Sequence, residues 1–343
     1  MKKCNRSGVR LALITATLAL AACGGSGGDP DPLPGPSADP TDQQRAGAAT
    51  TTATTNPNCA EGVLGPFYWE VGDAGGAKVS GRVGSGIDAA TQMPIASASK
   101  WVYATYVLQR RGGVASVDVP FLNFTSGYTE FSNSLCGPLA TVGSCLGDKT
   151  GRQLATIDRY SYGSGHMQNH AVAQMGLGPL NASALASEVG RIIGDFGFGY
   201  GNVNLAGGMN ATASGYADFL RAILRGSLQM KGALGTHKVC ADPTTCTSTA
   251  VNSPMDSAGT GETWNYSLGH WVEDDPHVGD HAFSSAGALG FYPWIDATKT
   301  YYGILARRAT EADSQGYVSA RCGRLIRQAW VTGKAVTSTT SSP

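Results

Sequence analysis

The apolar positions of this chain are distributed in three regimes. Residues 11–22 form an apolar run, interrupted only by Thr15 and Thr17, behind the basic residues Lys2, Lys3, Arg6 and Arg10. The run is too short to span a bilayer as a mature helix, and with its positive flank it reads as a signal peptide over residues 1–22. Residues 23–58 contain almost no large apolar side chains and are rich in Gly, Pro, Asp, Ala and Thr. Such a segment cannot bury enough surface to offset chain entropy, which predicts a flexible tether. Residues 59–333 carry regular apolar periodicity and form the expected folded domain, and residues 334–343 return to tether-like composition as a flexible tail.

Within the domain, residues 67–72 and 78–83 read as two strands around an Asp-Ala-Gly-Gly turn. A helix is expected from about Ser97, apolar on most sides through Leu108 and stopped at Gly112 and Gly113. Further helices are expected near residues 166–175, 182–193 and 213–225. After Trp264 the pattern becomes strand-like at residues 266–273, 281–285, 289–295 and 300–307, and residues 314–331 read as a final helix. This order predicts an α/β (α+β) fold. A single antiparallel sheet is formed from both chain ends and flanked by helices, with a mostly helical region inserted between.

Charge and cysteine content narrow the setting. Lys+Arg and Asp+Glu both number 25, so the net charge is zero and nothing points to a nucleic-acid partner. Leu20-Ala21-Ala22-Cys23 resembles a lipobox, which predicts lipidation of Cys23 and a place in the bacterial cell envelope, on the periplasmic or outer surface. Six cysteines follow, an even number that in an exported chain predicts disulfides. Spacing favours short loops closed by Cys136–Cys145 and Cys240–Cys246. That leaves Cys59 and Cys322 to tie the start of the domain to its end.

The sharpest chemical feature is Ser97-Ala98-Ser99-Lys100. A serine hydroxyl is a weak nucleophile that needs a base. Residues three apart on a helix share a face, so Lys100 can reach Ser97, whereas Ser99 has Val102 at the corresponding place. Burial drives a lysine toward its neutral form, which can accept the serine proton. His166 and His170 are four apart without an acidic companion, and Asp274, Asp275 and Asp280 fit no calcium loop. Neither a metal nor another cofactor is therefore expected. No Gly-x-Ser-x-Gly elbow occurs within residues 59–333.

Four blocks taken together resemble the β-lactamase-related serine hydrolases, a group with class C β-lactamases, penicillin-binding D-Ala-D-Ala carboxypeptidases, family VIII esterases and nylon-oligomer hydrolases. They are Ile95-Ala96-Ser97-Ala98-Ser99-Lys100-Trp101, Phe124-Thr125-Ser126-Gly127-Tyr128, Leu205-Ala206-Gly207-Gly208-Met209, and residues 287–296. The resemblance covers about residues 62–331 and implies the serine β-lactamase/DD-peptidase-like fold. It implies a tyrosine base at Tyr162, with Tyr160 as the competing register, and Ser164 of the same motif as a substrate-binding residue; a phenol beside Lys100 is expected to have its pKa lowered by that positive charge. It also implies an oxyanion hole from the backbone amides of Ser97 and Ala288. The third family block begins with a basic residue, but here it reads Ser285-Ala286-Gly287. Ser285 and Gly287 are thus expected to line the substrate site without a cation, unless His281 or His270 replaces it. Neutral small esters or amides are then favoured over the carboxylate-bearing substrates of β-lactamases and D-Ala-D-Ala carboxypeptidases. A non-catalytic envelope protein that retains the fold is the other class of reading.

Overall fold

A computed structural model describes residues 39–257, 259–310 and 315–338. The expected signal peptide, Cys23 and the first part of the tether lie outside the described residues.

Eight strands form one antiparallel sheet. From edge to edge they run Gly76–Val83, Phe67–Asp73, Tyr301–Arg307, Tyr292–Ile295, Ala282–Ser284, His270–Glu273, Asn265–Ser267 and Val239–Cys240. The Phe67–Asp73 strand pairs directly with the last, Tyr301–Arg307, and carries Gly76–Val83 on its other side as the sheet edge, so the sheet is built from both chain ends. Their connecting turn is fixed by Asp73 Oδ1, which accepts the N–H groups of Gly75 and Gly76 at 2.8 and 3.2 Å. The inserted region between the strand groups carries the Gly165–Ala173, Ala182–Ile193 and Ala213–Leu224 helices. The Ser99–Arg111 helix lies at the centre of the molecule, with ten successive residues buried from Ser99 to Leu108. It ends on Gly112 in the left-handed conformation.

Two expectations need correction. The tether does not reach residue 58, because Asp42–Thr55 is a helix with a Thr41–Gln44 capping box. Its buried face consists of Ala48, Ala49, Thr52 and Ala53. These small side chains permit close packing but look like linker composition. Arg45 donates to the carbonyls of Trp330 and Val331 at 2.9 and 2.6 Å, binding this helix to the end of the Gln315–Thr332 helix. The first tail residues are also held, since Asn56 Nδ2 donates to the carbonyls of Val336 and Ser338. Secondly, the strand expected over residues 266–273 is a hairpin turned at Leu268 and Gly269, both at positive φ. That turn packs against the central helix. A Cβ on Gly269 would sit 2.7 Å from the Lys100 carbonyl, so only glycine fits there.

All three expected disulfides are present: Cys59–Cys322, Cys136–Cys145 and Cys240–Cys246. They suggest an extracytoplasmic protein. Among the described residues no helix is long and apolar enough to cross a membrane.

Candidate active site

Ser97 sits in a short 3-10 turn, Ala96–Ala98, that leads into the central helix. The turn is strained at Ala96, whose φ of 44° lies in the left-handed region. Ser99 holds it there: its Oγ donates to the Ala96 carbonyl at 2.6 Å and accepts the Met209 N–H at 3.2 Å. Ser99 thus fastens the turn to the Met209–Ala211 strand, and Ser97 is left partly accessible.

Lys100 Nζ donates to Ser97 Oγ at 2.9 Å and to the Ala206 carbonyl at 2.7 Å. Lys100 is buried and both partners are neutral, so burial pulls its pKa down to about 7. Near neutral pH a large share of this amine is therefore unprotonated. A neutral amine has two N–H bonds and one lone pair. With one N–H on the Ala206 carbonyl, the lone pair can face Ser97.

Tyr162 stands over the pair, with Lys100 Nζ 4.8 Å from its ring centroid, and its ring stacks on Trp271. The structure therefore brings Tyr162 to Ser97 and Lys100. Tyr160 instead is fully buried among Phe124, Tyr266 and Trp271, and its phenol oxygen has no hydrogen-bond partner. One expectation fails here. The phenol was expected to be acidified by a charged lysine, but burial pushes its pKa up to about 12, and a hydrogen bond with Ser97 pulls only part of the way back. The same burial that neutralises Lys100 removes the positive charge that was to acidify the phenol. Near pH 7 Tyr162 is therefore a neutral phenol, and Lys100 is the group of the pair with a lone pair available.

The third block closes the site from the sheet. Ser285 Oγ donates to the Ser97 carbonyl at 3.1 Å, so its hydroxyl is engaged with the Ser97 backbone rather than free. A Cβ on Gly287 would lie 2.2 Å from the Ile95 carbonyl, which leaves no room for any side chain and lets this segment touch the Ile95–Ser97 turn. Ala288, the next residue, is exposed. Neither histidine restores the missing charge. His270 is buried and stacked on Trp101, and burial pushes its pKa down to about 3, so it is neutral. His281 is exposed just before the Ala282–Ser284 strand, four positions from Ser285 and thus roughly 13 Å along it.

Ser164 lies two residues beyond Tyr162, with Asn204 Nδ2 at 3.4 Å from its Oγ. Asn204, the Ala206 carbonyl and Trp271 were not singled out from the sequence. The first two adjoin or belong to the recognised Leu205–Met209 block, and that adjacency was the available signal. His166 and His170 are buried and engaged elsewhere, His166 with Ser126 and the Ser161 carbonyl, and His170 with Tyr103 and Asp118. Asp274, Asp275 and Asp280 bind Lys238, the Thr263, His277 and Val278 amides, and Arg327 respectively. Among the described residues no cluster of three metal-ligating side chains occurs.

The antiparallel sheet built from both chain ends, with its inserted helical region, is the serine β-lactamase-like fold, and comparison with solved structures gives the same fold. EstCE1, a hydrolase with promiscuous acyltransferase activity, superposes with a TM-score of 0.60 at 14% identity, over 84% of this chain and 99% of its own. The D-amino acid amidase of Ochrobactrum anthropi SV3 gives 0.57 at 12% identity, over 84% and 98%. A D-stereospecific amidohydrolase from Streptomyces gives 0.54 at 15% identity, over 86% and 100%. At these identities the likeness establishes the fold. No protein-family model and no curated protein sequence matches the chain.

Proposed function

We propose that this protein is an exported serine hydrolase that cleaves ester or amide bonds of a small substrate through an acyl-enzyme on Ser97. The observation that carries the reading is the 2.9 Å bond between Ser97 Oγ and a lysine whose pKa is drawn down to about 7. Solved structures of the same fold include proteins described as a hydrolase, an amidase and an amidohydrolase, which supports this class.

In this mechanism Ser97 Oγ bonds to the substrate carbonyl carbon while its proton passes to neutral Lys100. The Ser97 and Ala288 amides stabilise the oxyanion. Collapse of the intermediate breaks the bond to the leaving group, which takes the Tyr162 phenol proton, and the Lys100 ammonium returns a proton to the phenolate. Water then attacks the acyl-enzyme by the same proton route in reverse. Replacing Tyr162 by Phe should lower turnover by roughly a hundredfold or more, the scale of a positioned acid–base group. Tyr160→Phe should be mild, since that phenol is buried among aromatic rings and has no hydrogen-bond partner. Steady-state rates of the two variants on one ester substrate decide between them, and a reversed order assigns the role to Tyr160.

The substrate class follows from Ser285. A charge-assisted hydrogen bond to a carboxylate is roughly twice as strong as a neutral one. Ser285 offers only a hydroxyl, and that hydroxyl already donates to the Ser97 carbonyl. Short-chain p-nitrophenyl esters should therefore be hydrolysed, with little or no turnover of nitrocefin or D-Ala-D-Ala peptides. Efficient nitrocefin turnover without esterase activity would favour the β-lactamase or D-Ala-D-Ala carboxypeptidase alternative. Absence of labelling by an active-site fluorophosphonate would favour a non-catalytic envelope protein.

The lipobox-like Leu20-Ala21-Ala22-Cys23 and the three disulfides support export with a lipid anchor at Cys23, so that the membrane is a partner through that anchor. The mass of the mature N-terminal peptide tests this, and an unmodified Cys23 would overturn it.

A further inference from the structure

We infer that Asn204 is a positioning residue for the catalytic lysine, a role that rests on the reading of Lys100 as the base of Ser97. Asn204 is buried and uses both ends of its carboxamide. Oδ1 accepts the Ala206 N–H at 2.9 Å. Nδ2 donates to Asn133 Oδ1 at 2.8 Å and approaches Ser164 Oγ at 3.4 Å. The carbonyl of Asn204 accepts from the Gly207 and Gly208 amides, and its own amide donates to Asn202 Oδ1. One side chain thus joins the Ala206 loop, the segment that follows Tyr162, and the Asn133–Leu135 turn that leads into the Cys136–Cys145 disulfide.

The consequence is directional. Ala206 presents the carbonyl that takes one Lys100 N–H at 2.7 Å. Where that carbonyl points decides where the amine lone pair points. Lys100 sits on a long flexible stem, and without a fixed acceptor its nitrogen can rotate its lone pair away from Ser97. By holding the Ala206 amide, Asn204 fixes the orientation of the loop that carries the acceptor. The same carboxamide places Ser164 beside the tyrosine segment, so that the lysine and the phenol are registered to one another through a single residue.

The test compares Asn204→Ala with Asn204→Asp. Asp keeps the acceptor for the Ala206 N–H, whereas Ala removes it. Rates of p-nitrophenyl ester hydrolysis and of fluorophosphonate labelling are measured across pH on the purified protein, with thermal melting of each variant. Asn204→Ala should lower kcat about 10- to 100-fold with KM changed little, because the loss lies in the proton transfer and not in binding. Asn204→Asp should recover most of that loss. Its added negative charge should raise the lysine pKa, moving the acidic limb of kcat/KM to higher pH by about half a unit or more. A purely structural asparagine predicts otherwise: lower melting temperatures and a smaller active fraction, with kcat per labelled active site in Asn204→Ala equal to the parent's. That result overturns the proposal. Ser97→Ala is run in parallel. If it labels as fast as the parent, the hydrolase reading itself fails and the assignment of Asn204 falls with it. If it is silent while the Asn204 variants match the parent, only the assignment fails.

Discussion

Ser97→Ala should abolish fluorophosphonate labelling and lower ester turnover by about four to six orders of magnitude, the scale seen when one member of a catalytic unit is removed. The fold should survive, because the lost group is one partly accessible hydroxyl at the start of a helix whose next ten residues are buried. Lys100→Met should be nearly as severe, since nucleophile and base act as one unit and their losses are not additive. The two variants should differ in stability. Lys100 carries a pKa of about 7 in the folded protein against 10.5 unfolded. Between those values the unfolded chain binds more protons than the folded one, so folding stability rises with pH through that window. Below it the buried lysine opposes folding. Removing its charge should therefore raise the melting temperature at neutral pH while activity is lost. In the parent, kcat/KM should rise with pH through about 7 as Lys100 deprotonates. A Lys100→Met enzyme that is fully active, or clearly less stable than the parent, would contradict this account.

The largest expected loss of stability lies away from the site, at Arg327. This guanidinium is fully buried and donates to Glu273 Oε2 at 2.8 Å, to the Tyr292 hydroxyl at 2.8 Å, and to both oxygens of Asp280. Tyr292 in turn donates to Glu273 Oε1 at 2.6 Å. Glu273 has no solvent exposure. Arg327→Met would leave that carboxylate with fewer charged partners in the interior, which costs about 3–5 kcal/mol for a broken buried pair. Chemical denaturation should show the drop in midpoint without a change in slope. Removing both partners, as Arg327→Met with Glu273→Gln, should recover part of the loss, because the buried charge is then gone as well. The network also has a pH signature. Burial raises the Asp280 carboxyl, but Arg327 beside it outweighs that and leaves it below the usual carboxylate range. A group with a depressed folded pKa adds stability above its unfolded value, and that part is lost as pH falls through the folded value. The parent should accordingly lose stability in acid below about pH 4, and Arg327→Met should lose less of it there.

The succession of strands and helices along the chain was largely legible because periodicity and turn chemistry are local properties. So was the Ser97–Lys100 pair, since three residues in a helical turn place two side chains together whatever surrounds them. The disulfides followed from short loops and from one pair left over. The helix at Asp42–Thr55 was hidden because its buried face is Ala and Thr, indistinguishable by composition from a linker until the Gln315–Thr332 helix is placed against it.

What the sequence determined by itself is therefore the covalent and short-range part: which residues can meet within one turn, one hairpin or one small loop. The tertiary structure alone decided which of two tyrosines faces Ser97, because Tyr160 and Tyr162 both pack against Phe124, Tyr266 and Trp271, while Tyr162 meets Lys100 and the Tyr160 phenol is buried without a partner. It decided that Ser285 donates to a carbonyl 188 positions away, and that the lysine's acceptor comes from 106 positions away. It also fixed the protonation states that the chemistry needs. Desolvation depends on everything packed around a group, so the low lysine pKa and the high tyrosine pKa are properties of the assembled interior and of no single motif.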